Sequence, residues 1–303
     1  MDGVIFINKP TGLSSAGVVK NIKKMVKTKV GHGGTLDPNA SGVLPLLIGE
    51  GTKFGTSSLS ANKVYVAEVT LGVTTDTGDS MGLIIKEQRV SCELTDIKKV
   101  VDSFVGGYLQ EPPMFSAIKY KGKPLYKYAR EGLTVARKKR DVAVEYIKLL
   151  EHCIPKIIIE VSCSKGTYIR TLAEDIGLKL GCGAHVANLK RVAVGSFTIE
   201  ETVKLEDVSI DFAKMKADEF KKKYLKPVDV FLNELSSVYL SNEESRIIVN
   251  GGNVSLPFEF DTNFKEQEVK IYNVNVGFIG LGMTNARRLV PKRLINLDKS
   301  VLG

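Results

Sequence analysis

The stretch GHGGTLDPNASGVLPLLI, residues 31–48, sets one carboxylate, Asp37, between a glycine-rich loop and an apolar strand. Loops of this composition usually cradle phosphate through free backbone N–H groups, and an aspartate would repel that phosphate. Asp37 is therefore either a turn residue stabilising the bend before Pro38 or a reacting group, for which a carboxylate offers nucleophilic or general-base chemistry. The loop by itself weighs the two equally. A second chemical feature is AIKYKGKPLYKYAREGLTVARKKR, residues 117–140, where Lys119, Lys121, Lys123, Lys127, Arg130, Arg137, Lys138, Lys139 and Arg140 face only Glu131, with Tyr120, Tyr126 and Tyr128 interleaved. Cations meet phosphates while aromatic faces accept unpaired bases, a combination suited to single-stranded or looped RNA. The alternative is a solvated loop anchored by its tyrosines, and the density of charge favours nucleic acid.

Several chemistries are excluded. There is no GxxxxGK[ST] for nucleotide phosphates, and GEGTKFG has the wrong glycine spacing for a dinucleotide fold. A GxSxG elbow and an HExxH helix are also missing. Nothing points to a Ser-His-Asp device, although its members can lie far apart in a chain. Cys92, Cys153, Cys163 and Cys182 form no CxxC pair, and His32, His152 and His185 are scattered. Neither a metal nor a cofactor is expected.

The 303 residues carry 43 basic and 34 acidic side chains, for a formal charge of +9. That balance suits a polyanionic partner, either nucleic acid or an acidic membrane surface. No apolar run approaches the roughly 20 residues of a membrane span. The start MDGVIFINKP lacks the features of a secretory signal, so a cytoplasmic protein without membrane attachment is expected.

Elements that must position these groups follow from periodicity. VIFIN is a strand, and Ser14 or Ser15 caps a helix that faces inward through Val18, Val19, Ile22 and Met25 and ends near Gly31. VLPLLIG and KVYVAEVTLGV are strands, TDTGDSMG turns into LIIKEQ, and ELTDIKKVVDSFVG has helical spacing. VAVEYIKLL and KIIIEVSCS are strands, and SKGTYIRTLAEDIGLKLG is a helix with Ile169, Leu172, Ile176 and Leu180 inward. This irregular mixture predicts an α+β domain around a mixed, mostly antiparallel sheet. FAKMKADEFKKKYLKP is expected to be a charged surface connection, and short strands after about Leu235 predict a small β domain.

The ordered blocks NKPTGLSS, GHGGTLDPNASGVLPLLIGEGTKF, KVYVAEVTLGVTTDTGD, PPMFSAIKYKGKPLYKYAREG and CSKGTYIRTLAEDIG resemble the bacterial tRNA pseudouridine-55 synthase (TruB) family across most of residues 1–200. SRIIVNGGNV and VGFIGLGMTNARRLVPKR resemble a PUA-type RNA-binding module. The resemblance implies the pseudouridine synthase fold and cofactor-free isomerisation of a T-loop uridine of tRNA. It also implies a catalytic domain over 1–234 with an RNA-binding insertion near 108–140, a PUA-like domain over 235–303, and a monomer.

Residue by residue, it implies Asp37 as the reacting carboxylate and Arg170 as its partner, able to grip it at two points. Tyr65 is the implied aromatic that stacks on uracil, and Tyr168 and Leu189 the implied walls of the uridine pocket. Lys9 and Pro10 would brace the pocket, and His32 would occupy space near the extruded nucleotide. Lys119, Arg137 and Arg140 of the basic segment are expected on RNA phosphates. Gly33 and Asn39 depart from the threonine and leucine of many relatives, and NLKRVAVGSF has fewer arginines than usual.

Overall fold

The computed structural model describes residues 1–256, 266–285, 287–297 and 299–302. A ten-stranded mixed sheet dominates it. Along the sheet the strands run Val203–Lys204, Gly3–Lys9, Ala40–Ile48, Ala184–Val194, Lys63–Leu71, Lys156–Cys163, Arg140–Cys153 and Gly106–Gln110, with Val30–His32 and Phe197–Thr198 paired off this path. Among the described residues only two pairings of this sheet are parallel, Gly3–Lys9 with Val203–Lys204 and Ala184–Val194 with Ala40–Ile48. The expected mixed, mostly antiparallel sheet is thus borne out.

Burial follows each strand's place. Lys63–Leu71 alternates buried and half-buried residues, as a strand covered more heavily on one face does, whereas Ala40–Ile48 is buried at eight of its nine positions. The strand Ala184–Val194, which periodicity had not singled out, joins the two halves of the sheet. It pairs Leu189 with Ala40 on one side and with Ala67 on the other, and Arg191 with Gly42 and with Tyr65. Gly42 has φ +105°, and a Cβ there would lie 2.1 Å from the carbonyl oxygen of Arg191. A side chain would force these strands apart.

The first helix, Ser15–Val26, is capped by Ser14, whose Oγ accepts from the N–H of Gly17, and it buries Val18 and Ile22. It stops at Lys27, in left-handed conformation, before the expected Gly31. The helix Ile169–Lys179 packs on the sheet through Ile169, Leu172, Ala173 and Ile176, with Gly177 held against the backbone of Gly183 and Ala184. The charged connection is not a surface linker. It carries the end of the helix Leu205–Lys214 and all of the helix Ala217–Tyr224, and the latter inserts Phe220, 1% exposed, against Phe212 and Tyr224. Charge on the outer face had masked one deep apolar anchor. Phe220→Ala should therefore destabilise the protein by about 3–5 kcal/mol, read from urea unfolding midpoints.

The C-terminal strands form a separate five-stranded sheet in the order Ser237–Leu240, Gln267–Asn273, Gly277–Asn285, Arg288–Leu294, Val254–Ser255, with the helix Asn242–Val249 capped by Ser241 and Glu244. Its own core contains Val238, Leu240, Ile248, Val269, Ile271, Ile279 and Leu289. It meets the large sheet's side at Phe54, Leu232 and Leu281. Lys53 donates to the carbonyl of Leu294 at 2.9 Å, and Glu50 accepts from the N–H of Asn296 at 2.6 Å. Among the described residues no helix is long and apolar enough to cross a membrane.

Candidate active site

The glycine loop turns its polar groups inward and is held from both sides. Lys9, wholly buried, donates from Nζ to the carbonyls of Leu13 at 2.6 Å, Pro10 at 2.8 Å and Pro38 at 3.2 Å. Gly12 N–H also donates to Pro38 O, while Ser15 Oγ both donates to Leu36 O and accepts from Leu36 N. From beneath, Arg191 donates through Nε to Val43 O at 2.8 Å, through Nη2 to Gly34 O at 3.0 Å and through Nη1 to Thr35 O at 3.4 Å. Carbonyls on both sides of Asp37 are therefore fixed by buried cations, which suits the presentation of a side chain better than the wrapping of an anion.

The Oδ2 of Asp37 lies 2.9 Å from Nε of Arg170. The contact is single, not the two-point grip expected from the sequence. The other guanidinium donors have different acceptors, Nη1 on the carbonyl of Thr77 and Nη2 on that of Phe115, both at 2.8 Å. Asp79 stands 3.9 Å from Nε. Arg170 is 4% exposed and locked between the TDTGD turn and Phe115, just ahead of the basic segment, whereas the Asp37 side chain is 38% exposed, onto the cleft. Tyr168, just ahead of this helix, is fixed by Gln110, which accepts from its N–H at 2.7 Å and donates to its carbonyl at 3.0 Å.

Asp37 opens into a cavity of about 290 Å³. Tyr65, Tyr168 and Leu189 line it, together with Arg170, Arg191, Lys63, Ser116 and Ala117. Burial pushes the Asp37 carboxyl up, Arg170 opposes that rise most strongly, Asp79 adds to it, and Lys9 opposes it. Desolvation lowers Lys9 to about 8, against the field of Asp37. Burial also raises the phenols of Tyr65, which Arg191 opposes, and of Tyr168. Both tyrosines are neutral aromatic faces at physiological pH.

Three groups of this site escaped the sequence reading. Lys63 donates to Leu59 O at 2.9 Å and Ala61 O at 2.5 Å, and burial lowers it to about 8. Its signal was a lysine two residues before Tyr65 on the same strand face. Arg191 stood beside Lys190 in a stretch with no clear strand signal, and Asp79 was an ordinary turn acid. Gly33, the departure from threonine, has a local counterpart: a Cβ there would stand 1.9 Å from Ser58 Oγ, which donates to Gly33 O at 3.1 Å.

Other expected residues lie outside this cavity. His32 sits on the strand Val30–His32 opposite Leu46, half-buried, its Nδ1 without a hydrogen-bond partner among the described residues and its imidazole pKa lowered by burial. Pro10 contributes its carbonyl to Lys9. Lys119 is exposed on the small hairpin pairing Lys119–Tyr120 with Lys123–Pro124, and Arg140 is exposed opposite Gln110. Arg137 is engaged by Glu111 at 2.5 Å. The insertion nevertheless enters the site, because Phe115 holds Arg170 and Ser116 lines the cavity.

Solved structures share this architecture over almost the whole chain. One described as "Crystal Structure of a Cbf5-Nop10-Gar1 Complex" has a TM-score of 0.76 and 27% identity, covering 99% of this chain and 86% of that one. A second, "Structure of H/ACA RNP bound to a substrate RNA containing 2'-deoxyuridine", has a TM-score of 0.72 and 25% identity, with 98% and 86% covered. The sheet is that of the pseudouridine synthase fold. Family models described as "TruB family pseudouridylate synthase (N terminal domain)", "tRNA pseudouridylate synthase B C-terminal domain" and "Pseudouridine synthase II TruB, C-terminal" match residues 21–169, 170–233 and 236–295. The chain belongs to the TruB family. Relatives named tRNA pseudouridine synthase B include that of Burkholderia mallei (strain NCTC 10247), 40% identical over 299 residues with 97% of each chain covered. That of Haemophilus influenzae (strain 86-028NP) is 37% identical over 296 residues, with 97% and 95% covered.

Proposed function

We propose that the protein is a tRNA pseudouridine-55 synthase, which isomerises the T-loop uridine of tRNA to pseudouridine with Asp37 as the reacting carboxylate and no cofactor. The observation that carries this is the ion pair between Asp37 and Arg170 at 2.9 Å, facing a cavity with Tyr65 on its wall. The reaction breaks the bond from ribose C1′ to uracil N1, turns the held base, joins C1′ to C5, and moves the C5 proton off, with N1 regaining one. Nothing is oxidised. Asp37 acts as nucleophile toward ribose or base, or removes a ribose proton, and each of these roles needs the ionised form.

Arg170 supplies the cation that keeps that form available in a partly dehydrated site. Tyr65 stacks on the uracil, a contact of roughly 1–3 kcal/mol per base, and Tyr168 and Leu189 bound the nucleotide. Lys9 and Pro10 act through the loop's backbone, and His32 stands by for the space left in the T-loop. Swinging the uridine out of its stack costs a few kcal/mol, offset by phosphate contacts from Lys119 and the basic run to Arg140. In this reading residues 1–234 form the catalytic domain and 235–303 a PUA-like RNA-binding domain, in a cytoplasmic monomer.

The test is pseudouridine mapping and mass spectrometry on an unmodified tRNA transcript. Isomerisation at the T-loop uridine leaves the RNA mass unchanged, whereas a glycosidase would release uracil and leave an abasic site. A second expected result concerns the basic run. Replacing Lys138, Lys139 and Arg140 by glutamine should weaken tRNA binding and flatten the slope of log K against log salt by roughly 0.7–0.9 for each phosphate no longer neutralised. An unaltered slope in filter-binding titrations would put the RNA on another face.

A further inference from the structure

We propose that Glu174 is a positioning residue that couples the basic insertion to the Asp37–Arg170 pair by accepting the Nε–H of Arg137 when RNA occupies the cleft. The inference rests on the reaction proposed above and concerns a residue outside the cavity. Glu174 lies one helical turn beyond Arg170 on the helix Ile169–Lys179, so the two side chains share a face. Its carboxylate backs directly onto Gly78, where a Cβ would stand 2.9 Å from Oε1 and where the backbone takes φ +70°. Gly78 lies between Thr77, whose carbonyl receives Nη1 of Arg170, and Asp79, 3.9 Å from its Nε. Glu174 is thus a wall for the turn that fixes the guanidinium.

The insertion bears on the same helix at two places, through Phe115 and through the charge of Arg137. At one, Phe115 O receives Nη2 of Arg170. At the other, Arg137 gives Nη2 to Glu111 but keeps a buried Nε with no hydrogen-bond partner among the described residues. A buried donor left unpaired is costly and calls for an acceptor. The charged groups around Glu174 are Arg170 and Asp175 on its own helix, Arg137 on the insertion and Asp79 on the turn. Burial raises its carboxyl to about 7, while Arg170 and Arg137 favour the ionised form. Closer approach of Arg137 favours ionisation further, so acceptance of Nε–H and loss of the proton go together.

Single-turnover isomerisation and filter binding of an unmodified tRNA transcript test this with Glu174→Gln, Arg137→Gln and the double variant, each checked for wild-type unfolding midpoints. Each single variant should lower the rate about tenfold, within what a small misplacement of a reacting group can cost, and the tRNA affinity of Glu174→Gln should stay within about twofold of wild type. The double variant should fall no further, because either change already removes the charge-assisted bond between the two side chains. The wild-type rate should climb with pH through a step below about 7, since Arg137 drawn onto the carboxylate favours its ionised form, and Glu174→Gln should lack that step. Multiplicative losses in the double variant, a wild-type rate in either single variant, or a retained pH step in Glu174→Gln would overturn the proposal. Failure of the wild-type protein to convert the transcript would instead strike the functional reading beneath it.

Discussion

Asp37→Asn is expected to lower pseudouridine formation by about a thousandfold or more, the upper part of the range that a positioned acid, base or nucleophile contributes, while tRNA affinity stays close to that of the wild type. Asparagine keeps the size of the side chain and an oxygen for Nε of Arg170, so the site loses charge and nucleophilicity before it loses shape. The loop does not depend on the carboxylate. Its carbonyls are held by Lys9 and Arg191, and Ser15 bonds Leu36 in both directions. Rate and binding are thereby separable in one variant. Single-turnover rates measured beside equilibrium binding decide the matter: retained conversion would return Asp37 to the status of a turn residue, and parallel loss of binding would make it a scaffold for RNA.

What could be seen in the sequence followed from how local each determinant is. The loop around Asp37 shows because glycine, proline and aspartate are short-range signals for backbone conformation, and the strands around Tyr65 show through alternation. The family motifs then linked Asp37 to Arg170, far along the chain, which no periodicity could do. Geometry at the guanidinium was a different matter. A two-point grip is the usual expectation for an arginine and a carboxylate, but here two of the donors meet the carbonyls of Thr77 and Phe115, backbone groups with no sequence signature.

The central strand Ala184–Val194 was missed for a related reason. Lys190 and Arg191 interrupt its apolar run, and Arg191 is 1% exposed. A cation normally marks a solvated position, and this one is buried because three carbonyls of the site's own framework receive it. In the helix Ala217–Tyr224 the error ran the same way, with Phe220 hidden among lysines. Buried cations and solitary anchors are tertiary decisions.

Those same cations set up the second large effect. Arg170 is the buried arginine paired with Asp37, and it is the strongest influence holding the carboxyl down against burial. Arg170→Ala should cost about a hundredfold in single-turnover rate at the optimum pH, comparable to removing one preorganised donor from a reacting site. The pH dependence gives the more specific signature. Without the guanidinium, burial and Asp79 both push Asp37 upward and only Lys9 opposes them. The ionised form then becomes available only at higher pH, so the acid limb of the rate profile must move toward higher pH. Arg170→Lys should recover part of that displacement, since it restores a positive charge, but little of the rate, since an ammonium cannot serve Asp37, Thr77 and Phe115 in the planar arrangement of a guanidinium. An alanine variant whose acid limb stays in place would show that Arg170 acts on position alone, with no hold on the ionisation of Asp37.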